Sequence, residues 1–350
     1  MSRILPAAAI VVAAAAFAAQ RPGVALPPPL DDYVSTAVRL TAAERAALVG
    51  GQPVTKLLDG DPAKEVSVFG AVWINAAPAD YVRLIRDIER FERGGGFLVT
   101  KRISDPPRLE DFAALRLTDE DVSSLKTCRV GDCELKLSEA GVQRMRATLD
   151  WSRPTVKADA EALARQMAYE YVTGYLEGGN ESLAVYRDSS RPTFVAAEFR
   201  SMIDRIPALG ERLPELKTYL LDFPRARTAA TDGFFYWQTV QFGLKPTIRI
   251  NHVALDERPQ ATAVAVKMLY ASHYFWTALD LRVLVADPAR GPGFWFVNVT
   301  RSRSDGLNGF VGRLIRGKVQ SEAQKGIDTA LRSTKTQLEK GAADRSRMGS

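Results

Sequence analysis

The chain has 350 residues, 46% hydrophobic and 25% charged, the balance of a globular protein with a sizeable core rather than of a disordered or fibrous one. Lysine and arginine outnumber aspartate and glutamate by 47 to 41, and the +6 surplus is scattered, so no basic run exists to track a nucleic-acid backbone. Two histidines and two cysteines exclude a four-cysteine zinc site, and Cys128, Cys133, His252 and His273 fit no common mixed spacing; no metal and no cofactor are expected.

Met1 to Ala19 reads as an export signal. Arg3 precedes an uncharged stretch, Ile4 to Ala19, and small residues offer cleavage after Ala18 or after Ala25. That stretch is shorter than the roughly 20 residues that span a bilayer, so removal of residues 1–25 is expected rather than anchoring. Arg3 and Arg21 leave with it, which lowers the net charge from +6 to +4. A periplasmic or secreted product follows, with no stable membrane span after cleavage, because no later stretch approaches 18 apolar residues.

Residues 26–63 read as a Pro-rich leader followed by a short helix. Thr41-Ala-Ala-Glu44 is a capping box that opens this helix, and Gly50-Gly51 ends it. Lys64 to Ile74 reads as a strand with Val66, Val68, Gly70 and Val72 on one face. Pro78 starts a helix with Tyr81, Val82, Ile85, Ile88 and Phe91 at the helical period, and Gly94-Gly95-Gly96 breaks it. A helical insertion is expected at about 101–178, with Ala158 to Leu176 its longest segment. Cys128 and Cys133 lie inside it, on either side of the turn signal Gly131-Asp132. Four intervening residues can close a short disulfide loop in an oxidising compartment, whereas a redox pair would have two and a helix N-terminus beside it.

Ser182 to Arg187 reads as a short strand, and Thr193 to Phe223 as helix interrupted at Pro207 and Pro214. Strands are then expected over 234–242, 246–255, 261–275, 277–286 and 293–301, rich in Val, Ile, Phe, Tyr and Trp and separated by Gly, Pro and Asp signals. Both faces of the last are apolar, which suggests that the insertion covers its outer side. The final segment reads as one long amphipathic helix whose buried stripe runs through Leu307, Phe310, Leu314, Ile315, Val319, Ala323, Ile327, Ala330, Leu331, Thr334 and Leu338. Residues 341–350 are expected to be a disordered tail.

This order gives an α+β fold in which a curved antiparallel sheet is closed by the last helix, with a helical insertion to one side. Phe69-Gly-Ala-Val-Trp-Ile-Asn-Ala-Ala-Pro-Ala-Asp-Tyr-Val-Arg-Leu-Ile-Arg-Asp-Ile-Glu resembles the opening of START-like (SRPBCC) proteins, where a strand ending I-x-A-P leads into a helix. Arg301 through Glu339 resembles the superfamily's last strand and C-terminal helix. The two motifs cover about 60 residues, and the insertion has no counterpart in a minimal member. The resemblance implies a helix-grip domain over residues 64–340 with an apolar cavity between sheet and helix, holding a lipid, sterol or other hydrophobic small molecule.

Period-two alternation puts Met268 and Tyr270 on one face of their strand, provided no bulge intervenes. With Ile250, Trp237 and Trp295 from other strands they are the expected ligand-binding residues. His252 and His273, with Tyr274 or Tyr270, are the candidates for acid/base chemistry; the plainer reading is that each imidazole is hydrogen-bonded in place. No Gly-x-Ser-x-Gly elbow or His-Glu-x-x-His run supports catalysis. Gly312 to Lys318 has phosphate-loop spacing, but Val319 follows where Ser or Thr is needed, and the segment falls inside the helical period. The leading expectation is an exported binding protein for a hydrophobic small molecule or lipid. An enzyme acting on an apolar substrate and an envelope-interaction protein with a filled core are the alternatives.

Overall fold

In the computed structural model, which describes residues 25–227, 231–258, 261–307 and 309–348, an eight-stranded antiparallel sheet carries helices on both faces. All of the expected signal except Ala25 lies outside the described residues.

The chain begins with α1 (Pro28–Thr36) and α2 (Ala42–Val49). Pro28 sits at the helix start, where its fixed φ and missing N–H cost nothing, so the Pro-rich leader is a helix that buries Leu30 and Val34 rather than a linker. The Thr41–Glu44 capping box forms as expected, with the Thr41 hydroxyl accepting from the Glu44 amide. Strands β1 (Val54–Leu57) and β2 (Glu65–Ile74) follow, then α3 (Pro78–Arg86), α4 (Ile88–Phe91) and β3 (Phe97–Ile103). β3 is a sheet strand where the insertion was expected to have begun.

The insertion therefore runs between β3 and β6. It holds α5 (Asp119–Thr127), α6 (Glu139–Thr148), α7 (Val156–Gly178), the two-residue strands β4 (Val185–Tyr186) and β5 (Thr193–Phe194), α8 (Val195–Ile203), α9 (Pro207–Arg212) and α10 (Pro214–Asp222). Pro207 and Pro214, where interruptions were expected, each start a new helix. The sheet then continues through β6 (Thr231–Phe242), β7 (Lys245–Glu257), β8 (Ala261–Ala271), β9 (Phe275–Ala286) and β10 (Phe294–Ser304), and the chain ends in α11 (Gly309–Met348).

The strand order is β1-β2-β10-β9-β8-β7-β6-β3, so the five-strand meander packs its last member against β2 and its first against β3. Alternation along the strands divides the core. On one face Phe235, Trp237, Ile248, Ile250, Ala263 and Leu281 pack beneath the insertion. On the other, Phe234, Tyr236, Val253, Val264, Phe294 and Phe296 pack with Tyr81, Val82 and Ile85 of α3 and with Leu331 and Leu338 of α11.

β10 is apolar on both sides, as its sequence suggests. Its outer residues Trp295, Val297 and Val299 are covered by α1 and α2, not by the insertion. α11 lies along β2 and β1 and buries Leu331, Thr334 and Leu338, with Val319, Ala323 and Ile327 half-buried. Ile315 and Ala330, expected in this stripe, are exposed; the side chains of Phe310 and Leu314 lie outside the described residues. The helix continues to Met348, and Arg345 is paired with Asp80 of α3, so residues 341–348 are helix rather than a disordered tail.

Candidate functional site

α7 presents Ala164, Met167, Ala168 and Tyr171 to the sheet at helical spacing. Two of these four are alanines, and Ala184 stands nearby. Short side chains where a core would place leucines leave a gap above β7 and β8, and the result is a cavity of about 120 Å³ between the sheet and the insertion. Its walls are apolar: Leu115, Leu117, Leu125, Leu135, Leu137 and Met145 from the insertion, Ile248 and Ile250 from β7.

Three tyrosines set its polarity. Tyr171 and Tyr186 each pack against the ring of Tyr270, at centroid distances of 6.0 and 6.3 Å. The Tyr171 hydroxyl donates to the Leu269 carbonyl at 2.8 Å and accepts from the Ala184 amide, so its hydrogen-bonding capacity is used. The Tyr186 hydroxyl is buried and lies near the Ala271 backbone without a hydrogen bond of normal geometry. Burial pushes all three phenols above their usual range.

One cation borders the cavity. Lys136 Nζ donates to Asp188 at 2.8 Å and to Asp305 at 2.7 Å, so two carboxylates surround a single ammonium. Ser272 is held as well: its hydroxyl accepts from the Ile248 amide, and its carbonyl accepts from the Lys136 amide. Among the described residues no three His, Cys, Asp or Glu side chains gather as a metal would require.

Comparison with known proteins adds nothing to this geometry: no family model matches the chain, and no curated protein matches it.

Of the five residues expected to bind a ligand, Ile250 and Tyr270 line the cavity together. Met268 does not, because a bulge at Leu269 interrupts the register: Tyr270 pairs with Ile250, but Met268 pairs with Asn251. Met268 is thereby turned to the opposite face, where it packs with Ala271 and Phe275. Trp237 is on the cavity's face of the sheet but serves the core, stacked on Phe112 and donating its indole N–H to the Asp111 carbonyl at 2.8 Å. Trp295 sits under α1 and α2 against Trp73, with its N–H donated to Asp287. The expected space between sheet and C-terminal helix is thus not where Ile250 and Tyr270 meet.

The imidazoles are placed separately. His252 is fully buried between two phenols, with Nδ1 3.3 Å from the Tyr175 hydroxyl and Nε2 3.1 Å from that of Tyr219. Lys267 Nζ donates to Tyr175 at 3.0 Å and also to Asn180 and the Leu220 carbonyl. Burial drives His252 well below its usual value, with Lys267 and Arg227 adding to the effect, and drives Lys267 well below the usual lysine range. His273 lies at the other end of β8, its Nε2 2.9 Å from Asp121 and its Nδ1 3.3 Å from the Glu134 carbonyl. Burial works against the charge on Asp121, but its bonds to His273 and Thr118 hold the carboxyl below the usual range. Tyr274 accepts from the Lys245 amide at 3.0 Å; its ring packs against that of His273, 6.0 Å between centroids, but its hydroxyl bonds neither imidazole. All of these groups are tied to partners, and no imidazole lines the cavity. The Gly312–Lys318 segment is helical, which is not the conformation that converges backbone amides on a phosphate.

Tyr171, Tyr186 and Lys136 escaped the sequence reading. The signal for the first was available: Ala164, Ala168 and Tyr171 form a stripe of small residues ending in a phenol on one helix face. Tyr186 and Lys136 sit in irregular or two-residue segments, where no periodicity aims them. The Cys128–Cys133 disulfide is formed, with Cα atoms 4.5 Å apart. It joins the end of α5, which supplies Leu125 to the cavity wall, to the segment that supplies Leu135 and Leu137. The pair is consistent with an exported protein, and no described helix is long and apolar enough to cross a membrane.

Proposed function

We propose that this is an exported binding protein for a small hydrophobic molecule, built on a START-like helix-grip scaffold, with the ligand held beneath the insertion rather than against the C-terminal helix. The observation that carries this reading is the apolar cavity between the sheet and the insertion, left open by Ala164, Ala168 and Ala184. An apolar gap left open in a core forfeits dispersion contacts. A ligand restores them. The volume, about 120 Å³, favours a small molecule over a lipid, since drug-sized ligands occupy about 300 Å³ or more. The strand–helix opening at Phe69 to Glu89 and the final strand and long helix support the scaffold. The lack of an imidazole in the cavity wall weighs against an acid/base enzyme at this site.

The experiment is native mass spectrometry of the exported protein, with organic extraction, beside an Ala168→Phe variant that fills the cavity from α7. A small apolar compound recovered from the wild type and absent from a folded Ala168→Phe variant is the expected result. A wild type that carries and takes up no apolar molecule overturns the proposal.

A further inference from the structure

Given that the cavity is a binding site, one residue of its wall selects what it takes. We infer that Tyr270 is the polar contact of the site, and that the occupant is a small, uncharged molecule with one hydrogen-bonding group set against the Tyr270 hydroxyl.

The strand departs from regular geometry to put Tyr270 there. In an unbroken strand it would share the face of Met268, two residues earlier. The extra residue Leu269 turns it to the insertion side instead, opposite Ile250. Bulges of this kind re-aim side chains beside functional sites. The rings of Tyr171 and Tyr186 then pack against that of Tyr270 and fix where its hydroxyl stands.

That hydroxyl is both free and reachable. Tyr270 lines the cavity and is only half-buried, so it keeps surface that a guest can touch. It lies deep enough that burial pushes its phenol above the usual range, so this surface opens on the cavity and not on bulk solvent. Among the described residues its hydroxyl forms no hydrogen bond, and unlike that of Tyr186 it is not sealed off. The other reachable polar side chains of the wall are engaged. Tyr171 bonds Leu269 and Ala184, Ser138 accepts from the Gly141 amide, Ser272 accepts from the Ile248 amide, and Lys136 holds two carboxylates. An apolar guest that displaced water from Tyr270 would leave its hydroxyl unpaired. A guest with a hydroxyl, carbonyl or ether oxygen avoids that cost.

The surroundings exclude ions and long chains. Asp121 and Asp188 lie close enough to oppose ionisation of Tyr270, and an anionic guest would meet the same carboxylates. It would also find Lys136 already shared by Asp188 and Asp305. A cationic guest would leave water for a wall made mainly of leucines. The volume, about 120 Å³, is near the roughly 150 Å³ of an apolar cavity that accepts benzene, and a long acyl chain has no room in it.

The test titrates ethylbenzene, benzyl alcohol, benzylamine and benzoate calorimetrically into the mature protein and into Tyr270→Phe and Tyr186→Phe variants. Each variant keeps its ring and loses one hydroxyl. The affinity ratio of benzyl alcohol to ethylbenzene should fall about tenfold in Tyr270→Phe, the factor one hydrogen bond supplies, and stay within about twofold of wild type in Tyr186→Phe. Benzyl alcohol should bind the wild type at least about tenfold more tightly than either charged probe. A ratio that survives Tyr270→Phe overturns the inference, as does one that falls equally in Tyr186→Phe, or a charged probe that binds as tightly as benzyl alcohol. If no probe binds but extraction recovers a long-chain compound, the inference falls and the binding-protein reading stands. If no probe binds and nothing is extracted, both fall.

Discussion

Met268 and Tyr270, two residues apart on β8, point to opposite faces of the sheet. Leu269 is the extra residue of a bulge, and it shares the insertion side with Tyr270. The consequence is that a bulky substitution has opposite readouts at neighbouring positions. Met268→Trp should overpack the cluster with Ala271 and Phe275 and cost about 1–3 kcal/mol, leaving ligand content unchanged. Ala168→Leu should fill empty space, keep or raise the melting temperature, and remove ligand. Thermal melts paired with extraction decide it. Ligand lost from Met268→Trp and kept by Ala168→Leu would put the binding space on the other face.

The bulge also shows what could be read from the sequence and what could not. The five meander strands and the capped α2 were legible because each is specified by its own residues: runs of β-branched and aromatic residues between Gly, Pro and Asp signals for β6 to β10, the Thr41–Glu44 box for the helix. Local patterns do not reveal which partner strand sets the register, so the slip at Leu269 left no trace. β3 was missed because its burial alternates imperfectly at a sheet edge, with Leu98 exposed. α1 was hidden because prolines that start a helix look like prolines of a linker. The cavity was hardest, since it consists of atoms that Ala164, Ala168 and Ala184 do not have.

Removing the Cys128–Cys133 bond should destabilise the protein by about 2 kcal/mol, the loop-closure value for so short a loop. Denaturant melts of the exported protein with and without reductant measure this. Thiol labelling without reductant should find no free cysteine; stoichiometric labelling of the native protein would refute the bond.

Acid should destabilise the fold through His252. Its folded value is depressed by burial, so below the ordinary value of about 6.5 the unfolded chain takes up a proton that the native state refuses. The contribution is therefore intact above about pH 6.5 and is lost as pH falls below it, by up to about 1.4 kcal/mol per pH unit. Lys267, also depressed, acts in the same direction at higher pH: its cost shrinks as pH rises toward about 10.5. A His252→Gln variant keeps polar groups toward Tyr175 and Tyr219 and removes the titration. Its stability should vary less between pH 7 and pH 5 than that of the wild type. Parallel pH profiles for the two proteins would rule out the imidazole as the acid-sensitive group.

Gly70 fixes how closely α11 approaches the sheet. It lies in the middle of β2, paired with Thr55 on one side and Asn298 on the other, so its backbone cannot retreat. A Cβ at this position would stand 2.5 Å from Ile327 Cγ2 and 3.0 Å from Leu331 Cδ1, closer than carbon atoms pack. Gly70→Ala should therefore push the helix outward and cost about 1–3 kcal/mol, against the usual benefit of replacing glycine in a strand. Ile327→Ala removes the nearer obstacle and, alone, costs burial at a half-exposed site. The two losses are not independent, because the space vacated by one substitution is the space the other needs. The double variant should be more stable than the sum of the single effects allows by at least about 1 kcal/mol, measured as a coupling energy from denaturant melts. Additive losses would mean that α11 does not rest on Gly70 through Ile327.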